Sequence, residues 1–200
     1  MGLNIEYKDG QTPIDEEEKS GLLISAITTR GELDEAEQRN IEDAMLWLAQ
    51  RRKRFTATEI LTERFICELH KRMFSGVWSW AGRFRNSEKN IGVLPYLIGV
   101  RLHALLEDCI YWIENETYSP DEIAIRFKHR IVAIHCFANG NGRHSRLIAD
   151  VIIDKIFAQE VFSWGGNRLM SDGESRAAYL VALKKADQHQ YEDLKEFSRL

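Results

Sequence analysis

Residues 134–146 read Ile134-His135-Cys136-Phe137-Ala138-Asn139-Gly140-Asn141-Gly142-Arg143-His144-Ser145-Arg146. An apolar-periodic segment closes at His135, and Leu147, Ile148, Val151, Ile152, Ile156 and Phe157 predict a second helix over 141–159. Between the two helices lies a glycine-rich turn, which lets the backbone bend sharply and approach a ligand closely. A helix opening there presents free N–H groups and its positive dipole end to an anion. Arg143 and Arg146 are three residues apart, so both project from one helical face toward that anion. His135 sits at the rim of the loop, where a side chain titrating near neutrality suits a general base. Phe137 is expected to anchor the loop in the core. The loop lacks the Gly-Lys-Ser/Thr of a P-loop, and no strand precedes it as a dinucleotide fingerprint requires. The residues alone give a phosphate-binding loop beside a base, the parts needed to move a phosphate-containing group onto a hydroxyl.

Working outward, residues 1–20 read as an irregular lead-in with turn signals at Asp9-Gly10 and Thr12-Pro13. From Asp34, residues Ala36, Ile41, Ala44, Leu46, Trp47 and Leu48 form a broad apolar helical face that fades in the basic run 51–54. The cluster at 56–59 opens the next helix, with Ile60, Leu61, Phe65, Leu69 and Met73 as its buried stripe. Segment 74–95 mixes aromatics, glycines and alternating polar residues and reads as loop plus a short β-hairpin, with Trp78 and Trp80 packed beneath it. Helices are expected at 97–117, at 121–135 behind the Ser119-Pro120-Asp121 cap, near 172–187 and near 190–199. His144, one residue past Arg143, is expected on the surface.

The chain has 200 residues, enough for one core without disulfide or metal staples. Its 27 basic and 31 acidic side chains leave −4, which disfavours a general polyanion binder, so no direct nucleic-acid contact is expected. Three prolines are too few for a turn-rich β-sandwich and suit an all-α protein. Cys67, Cys109 and Cys136 form no CxxC pair, and no histidines show HExxH spacing, which removes the common zinc and dithiol patterns. No apolar run is long enough to span a membrane and no signal core opens the chain, so the expected location is cytoplasmic.

The 135–146 stretch resembles the Fic family motif HxFx[D/E]GNGRxxR, matched at His135, Phe137, Gly140, Asn141, Gly142, Arg143 and Arg146. Trp80-Ala81-Gly82-Arg83-Phe84-Arg85, followed by Ile91-Gly92-Val93, resembles the family's flap region, and most of the chain resembles the subgroup called mobile mystery protein B. The resemblance implies a Fic-type helical bundle over residues 34–200, with a short β-hairpin flap next to the active-site loop. It implies a protein adenylyltransferase that moves AMP from ATP to a Ser, Thr or Tyr hydroxyl of a target protein, and a helix-turn-helix companion. By position His135 would be the base. Gly140, Asn141 and Gly142 would cradle the phosphates, Arg143 and Arg146 would neutralise them, and Ile91, Gly92 and Val93 would hold the target.

Two positions depart from the motif. The family's acidic position, which binds Mg²⁺, is Asn139, an amide that brings no charge to a hard cation. The proline that usually follows the histidine is Cys136. Within residues 1–33, Thr28-Thr29-Arg30-Gly31-Glu32 carries the Thr and Glu of the family's inhibitory pattern [S/T]xxxE[G/N], with Leu33 at the last position. That reading sets Glu32 against Arg146; helix capping generates the same [S/T]xxxE spacing. The alternatives to AMP transfer are transfer of another nucleotide or phosphoryl group, and a non-catalytic nucleotide-binding partner in a toxin–antitoxin-like pair.

Overall fold

The computed structural model describes residues 15–50, 55–166 and 173–200, and those residues build an all-helical fold. In chain order the helices are α1 (Glu16–Lys19), α2 (Arg30–Gln50), α3 (Ala57–Ile60), α4 (Glu63–Phe74), α5 (Ile98–Glu114), α6 (Pro120–Ile134), α7 (Asn141–Val151), α8 (Gly173–Ala186) and α9 (Glu192–Arg199). The expected end of α2 at 51–54 and the turns at Asp9 and Thr12 lie outside the described residues.

The helix ends follow local chemistry. Ser119 Oγ accepts the Glu122 N–H at 3.4 Å and Pro120 fills the first turn of α6, where its missing N–H costs nothing. Thr62 Oγ1 caps α4 by accepting the Phe65 N–H at 3.1 Å. Ahead of α3, the Glu59 carboxylate accepts the Thr56 N–H at 2.9 Å, the reach-back of a capping box.

The hairpin of α6 and α7 is the centre of the molecule. α5 packs against α6, α4 against α7, and α2 against the outer side of α4, while α8 and α9 pair and α9 returns to α6. Phe74, Trp78, Phe127 and Phe137 are among the largest fully buried side chains of the single core.

Several expectations are corrected by this packing. α2 begins at Arg30 and buries Leu33, Glu37, Ile41, Ala44 and Leu48; Leu46 is left exposed. Ile41, Ala44 and Leu48 of the expected face are buried and Ala36 and Trp47 pack against the core, while Leu33 and the Glu37 carboxylate join the buried stripe. His144 is buried, because α7 packs on α4 and α6 and its ring lies on the side that α4 covers, bonded to the Ile66 carbonyl. The helix after the loop is regular only to Val151 and widens into a π-helical turn over Ile152–Ile156.

The expected β-hairpin flap is absent: among the described residues there is no strand, only isolated bridges pairing Leu22 with Trp78 and Phe84 with Phe137. The backbone of 85–93 is satisfied otherwise. The Arg85 N–H bonds to the Cys136 carbonyl, the Val93 N–H bonds to the Ile134 carbonyl, and the Arg85 guanidinium takes the Ser87 and Val93 carbonyls. A side chain has replaced the cross-strand ladder.

Candidate active site

α6 ends on His135, whose backbone is left-handed at φ 59°, and the chain turns through residues 136–140 before α7 starts at Asn141. A left-handed C-cap is usually glycine, so a histidine here carries backbone strain and needs support from its neighbours. Arg85 supplies it, with Nε donating to the His135 carbonyl at 2.6 Å.

The His135 ring is buried. Burial first, and the Arg85 guanidinium second, push its pKa down from 6.5 to about 4. The ring is consequently neutral at pH 7, the protonation state a base requires.

The loop is stapled from within. The Asn141 carboxamide bridges Phe137, accepting its N–H at 2.9 Å and donating to its carbonyl at 2.8 Å. Gly140 takes φ 77° with its α-carbon pressed on Phe74, where an added Cβ would lie 2.6 Å from the ring. Gly142 faces open space. The amides that open α7 have no partner inside the helix, because the first turn of any helix lacks them. The loop thus opens onto a helix N-terminus at Asn141.

Asn139 Oδ1 accepts the adjacent Gly140 N–H at 2.6 Å, and its main-chain carbonyl accepts from His70 Nε2 at 3.0 Å. His70 Nδ1 in turn accepts the Gly82 N–H at 3.0 Å, which fixes the tautomer and links the loop to the segment before the flap. His70 stacks on Phe137 at 3.7 Å, and burial holds its pKa well below 6.5. His144 Nε2 donates to the Ile66 carbonyl at 3.1 Å, and burial takes that ring down to about 4.

The two arginines have different surroundings. Arg143 Nη1 pairs with Glu37 Oε2 at 2.7 Å, and the other Glu37 oxygen accepts from Trp78 Nε1 at 2.6 Å. Arg146 lies by Tyr179 and the fully buried Lys128, whose Nζ donates to the Tyr179 hydroxyl. Burial pushes the Tyr179 phenol up, but Lys128 and Arg146 outweigh it and hold it below its ordinary value.

Glu32 is at neither arginine. Its carboxylate accepts the Thr28 and Thr29 N–H groups at 2.8 and 3.0 Å, an exposed cap on its own helix. That is the capping chemistry its spacing also allowed. Glu37, His70, Arg85, Lys128 and Tyr179 were not singled out from sequence. A charge in the buried stripe of α2 was the one available signal, for Glu37.

Ile91 is exposed, Gly92 takes φ 99°, and Val93 has both its N–H and its carbonyl engaged within the chain. As a donor set for Mg²⁺ the loop offers one neutral amide oxygen already bonded to Gly140, and among the described residues no three His, Cys, Asp or Glu side chains gather into a metal site. These residues do not fit a resident metal ion.

The profile of the Fic/DOC family matches residues 60–153, the span that carries α4 to α7 and the whole loop. The chain contains a Fic domain. Protein adenylyltransferase fic-1 of Caenorhabditis elegans is 28% identical over 138 residues, covering 67% of this chain and 25% of that protein. The chain therefore spans about a quarter of that curated relative. The Fic-1 structure from Caenorhabditis elegans aligns with TM-score 0.63 and 21% identity, covering 90% of this chain and 51% of the other. BepC of Bartonella tribocorum, solved with bound AMPPNP, aligns with TM-score 0.65 and 14% identity over 92% and 97% of the two chains. At these identities the structures establish the shared helical fold.

Proposed function

We propose that this Fic domain transfers AMP from ATP to a Ser, Thr or Tyr hydroxyl of a target protein. The observation that carries the reading is a neutral, buried histidine on a braced left-handed turn, directly before a helix N-terminus bearing Arg143 and Arg146. The adenylyltransferase name of the Caenorhabditis elegans relative, and the AMPPNP bound to BepC, support the choice of ATP.

In the proposed reaction His135 takes the proton of the target hydroxyl. The hydroxyl oxygen forms a bond to the α-phosphorus as the bond to the leaving pyrophosphate breaks. Asn141 and Gly142 receive phosphate oxygens through main-chain N–H groups, Gly140, whose own N–H is held by Asn139 Oδ1, gives the turn that lets phosphate approach, and Arg143 and Arg146 neutralise charge. The Asn141 side chain holds the loop rather than the nucleotide. The target segment lies along Ile91 and Gly92; Val93 anchors that stretch to the end of α6. Mg²⁺ would arrive with the nucleotide phosphates, and no step here is assigned to it.

For Arg143 to hold phosphate, Glu37 must give way. This carboxylate, in place of Glu32, is the candidate internal competitor for nucleotide, a role it would exert on the first motif arginine. The same pair favours a second reading, in which the domain holds nucleotide without turnover beside a helix-turn-helix companion, as membership of the mobile mystery protein B subgroup and a cytoplasmic toxin–antitoxin-like pair would have it. Incubation with α-labelled and γ-labelled ATP separates the readings. Transfer of the α label alone supports AMP transfer, transfer of the γ label means phosphoryl transfer, and tight binding without product means a holding module.

A further inference from the structure

Arg85 is buried, and Glu18 and Glu88 are the carboxylates that act on it electrostatically. Its guanidinium is spent on main-chain carbonyls. Nε donates to His135 O at 2.6 Å, Nη1 to Ser87 O at 2.8 Å, and Nη2 to Val93 O and, at 3.5 Å, to Ile134 O. Two of these acceptors are the C-terminal carbonyls of α6, where a helix leaves its carbonyls unpaired and its dipole attracts a cation. The other two belong to the segment that leads through the flap. One rigid fork therefore bonds both walls of the site at once, a task a flexible ammonium does poorly.

The spacing it sets is tight. Gly92 comes so close that an added Cβ would lie 2.5 Å from His135 Cβ, 2.8 Å from Arg85 Nη2 and 3.1 Å from Ile134 O. The Val93 N–H closes the same contact on Ile134 O at 3.2 Å.

We propose that Arg85 is the positioning residue of this site: it fixes the separation between the 91–93 flap and the His135 backbone, so that a hydroxyl held on the flap meets the base. The inference rests on His135 being that base. None of the Arg85 hydrogen bonds goes to residues 139–146, so it acts on the acceptor side of the reaction and leaves nucleotide binding alone. The charged groups acting on His135 are Arg85 and Lys89 from the flap segment; Asp15 and Glu18 from the α1 side pair with Lys89. Arg85 is thus the cation that borders the ring most directly, besides holding its backbone.

The test compares wild type with Arg85→Lys and Arg85→Gln. The readouts are Val93 amide exchange, the His135 ring titration by NMR, and AMPPNP affinity by calorimetry. Val93 exchange is expected to speed up about tenfold or more in both variants, matching the loss of one or two charge-assisted bonds. The His135 titration is expected to rise from about 4, and further in Arg85→Gln than in Arg85→Lys, which keeps a positive charge. AMPPNP affinity is expected to stay within roughly twofold, since Arg85 bonds none of the phosphate-loop residues. Wild-type exchange and titration in both variants would overturn the proposal, as would AMPPNP affinity falling together with flap order. Should both variants fail to fold, the Arg85 Nε–H signal of the intact protein decides: slow exchange supports the brace and rapid exchange overturns it. Loss of the catalytic reading looks different, because transfer surviving in His135→Ala removes the base from the reaction, whereas the three readouts are taken on wild type and the Arg85 variants, which keep His135.

Discussion

Replacing Gly92 by alanine asks whether the flap truly rests on His135. The new methyl would start 2.5 Å from His135 Cβ and 2.8 Å from Arg85 Nη2, well inside contact distance, and both neighbours are pinned. Holding a non-glycine residue at φ 99° adds about 1–2 kcal/mol, and forcing an extra methyl into a packed contact adds about 1–3 kcal/mol. The sum of about 2–5 kcal/mol would lower the melting temperature of a domain this size by roughly 5–15 °C. Gly99→Ala is the matched control. A Cβ there meets nothing within 4 Å inside α5, so it should leave stability unchanged or raise it by a few tenths to about 1 kcal/mol. The assay is thermal unfolding followed by circular dichroism, with Val93 amide exchange reporting the flap locally. A Gly92→Ala protein that melts with wild type and keeps Val93 protected would refute the close approach and the separation built on it.

Glu37→Gln keeps an acceptor for Trp78 Nε1 but removes the charge from Arg143. AMPPNP affinity is expected to rise about tenfold in calorimetry, because phosphate no longer displaces an ion pair, and an unchanged or weaker affinity would count against competition at Arg143. Asn139→Asp restores a carboxylate to the loop and is expected to raise Mg²⁺-dependent α-label transfer tenfold or more; equal transfer would mean the amide suffices. Stability should fall as pH drops from 6.5 toward 4. In that window the unfolded chain protonates His135 and His144 while the folded chain, with both near 4, does not, at a cost on the order of 3 kcal/mol each. Asp150, pushed up to about 7 by burial, works the other way: its contribution is lost as pH rises from its ordinary 3.8 toward 7, and it offsets part of the change. Denaturant unfolding at pH 7 and pH 5 checks the balance, and equal or greater stability at pH 5 would contradict it.

The loop was legible in the sequence because its signals are local. Glycines at 140 and 142, arginines three apart and a histidine before them need no knowledge of the rest of the chain. The helices around it were legible for the same reason, through Ser119-Pro120, the 56–59 cluster and the apolar period of α4 to α7, although the break at Thr62 that divides α3 from α4 was not read. What escaped depends on partners distant in sequence. Glu37 looks like any helix charge until α2 packs on α4 and carries it to Arg143. His144 looks like a surface residue until α4 covers that side of α7. The hairpin expected within 74–95 follows from alternating polar residues, and no local pattern reveals that Arg85 takes the carbonyls a strand pair would have used. Glu32 was legible both ways, and the capping alternative is the one its carboxylate takes.

The most direct test of nucleotidyl transfer is incubation of the protein with α-labelled ATP, Mg²⁺ and a protein lysate, run beside His135→Ala. The account predicts covalent label on protein with wild type and a loss of at least a hundredfold in the variant, the usual scale of a general base. Equal labelling by the two proteins, or no labelling by wild type, would contradict it.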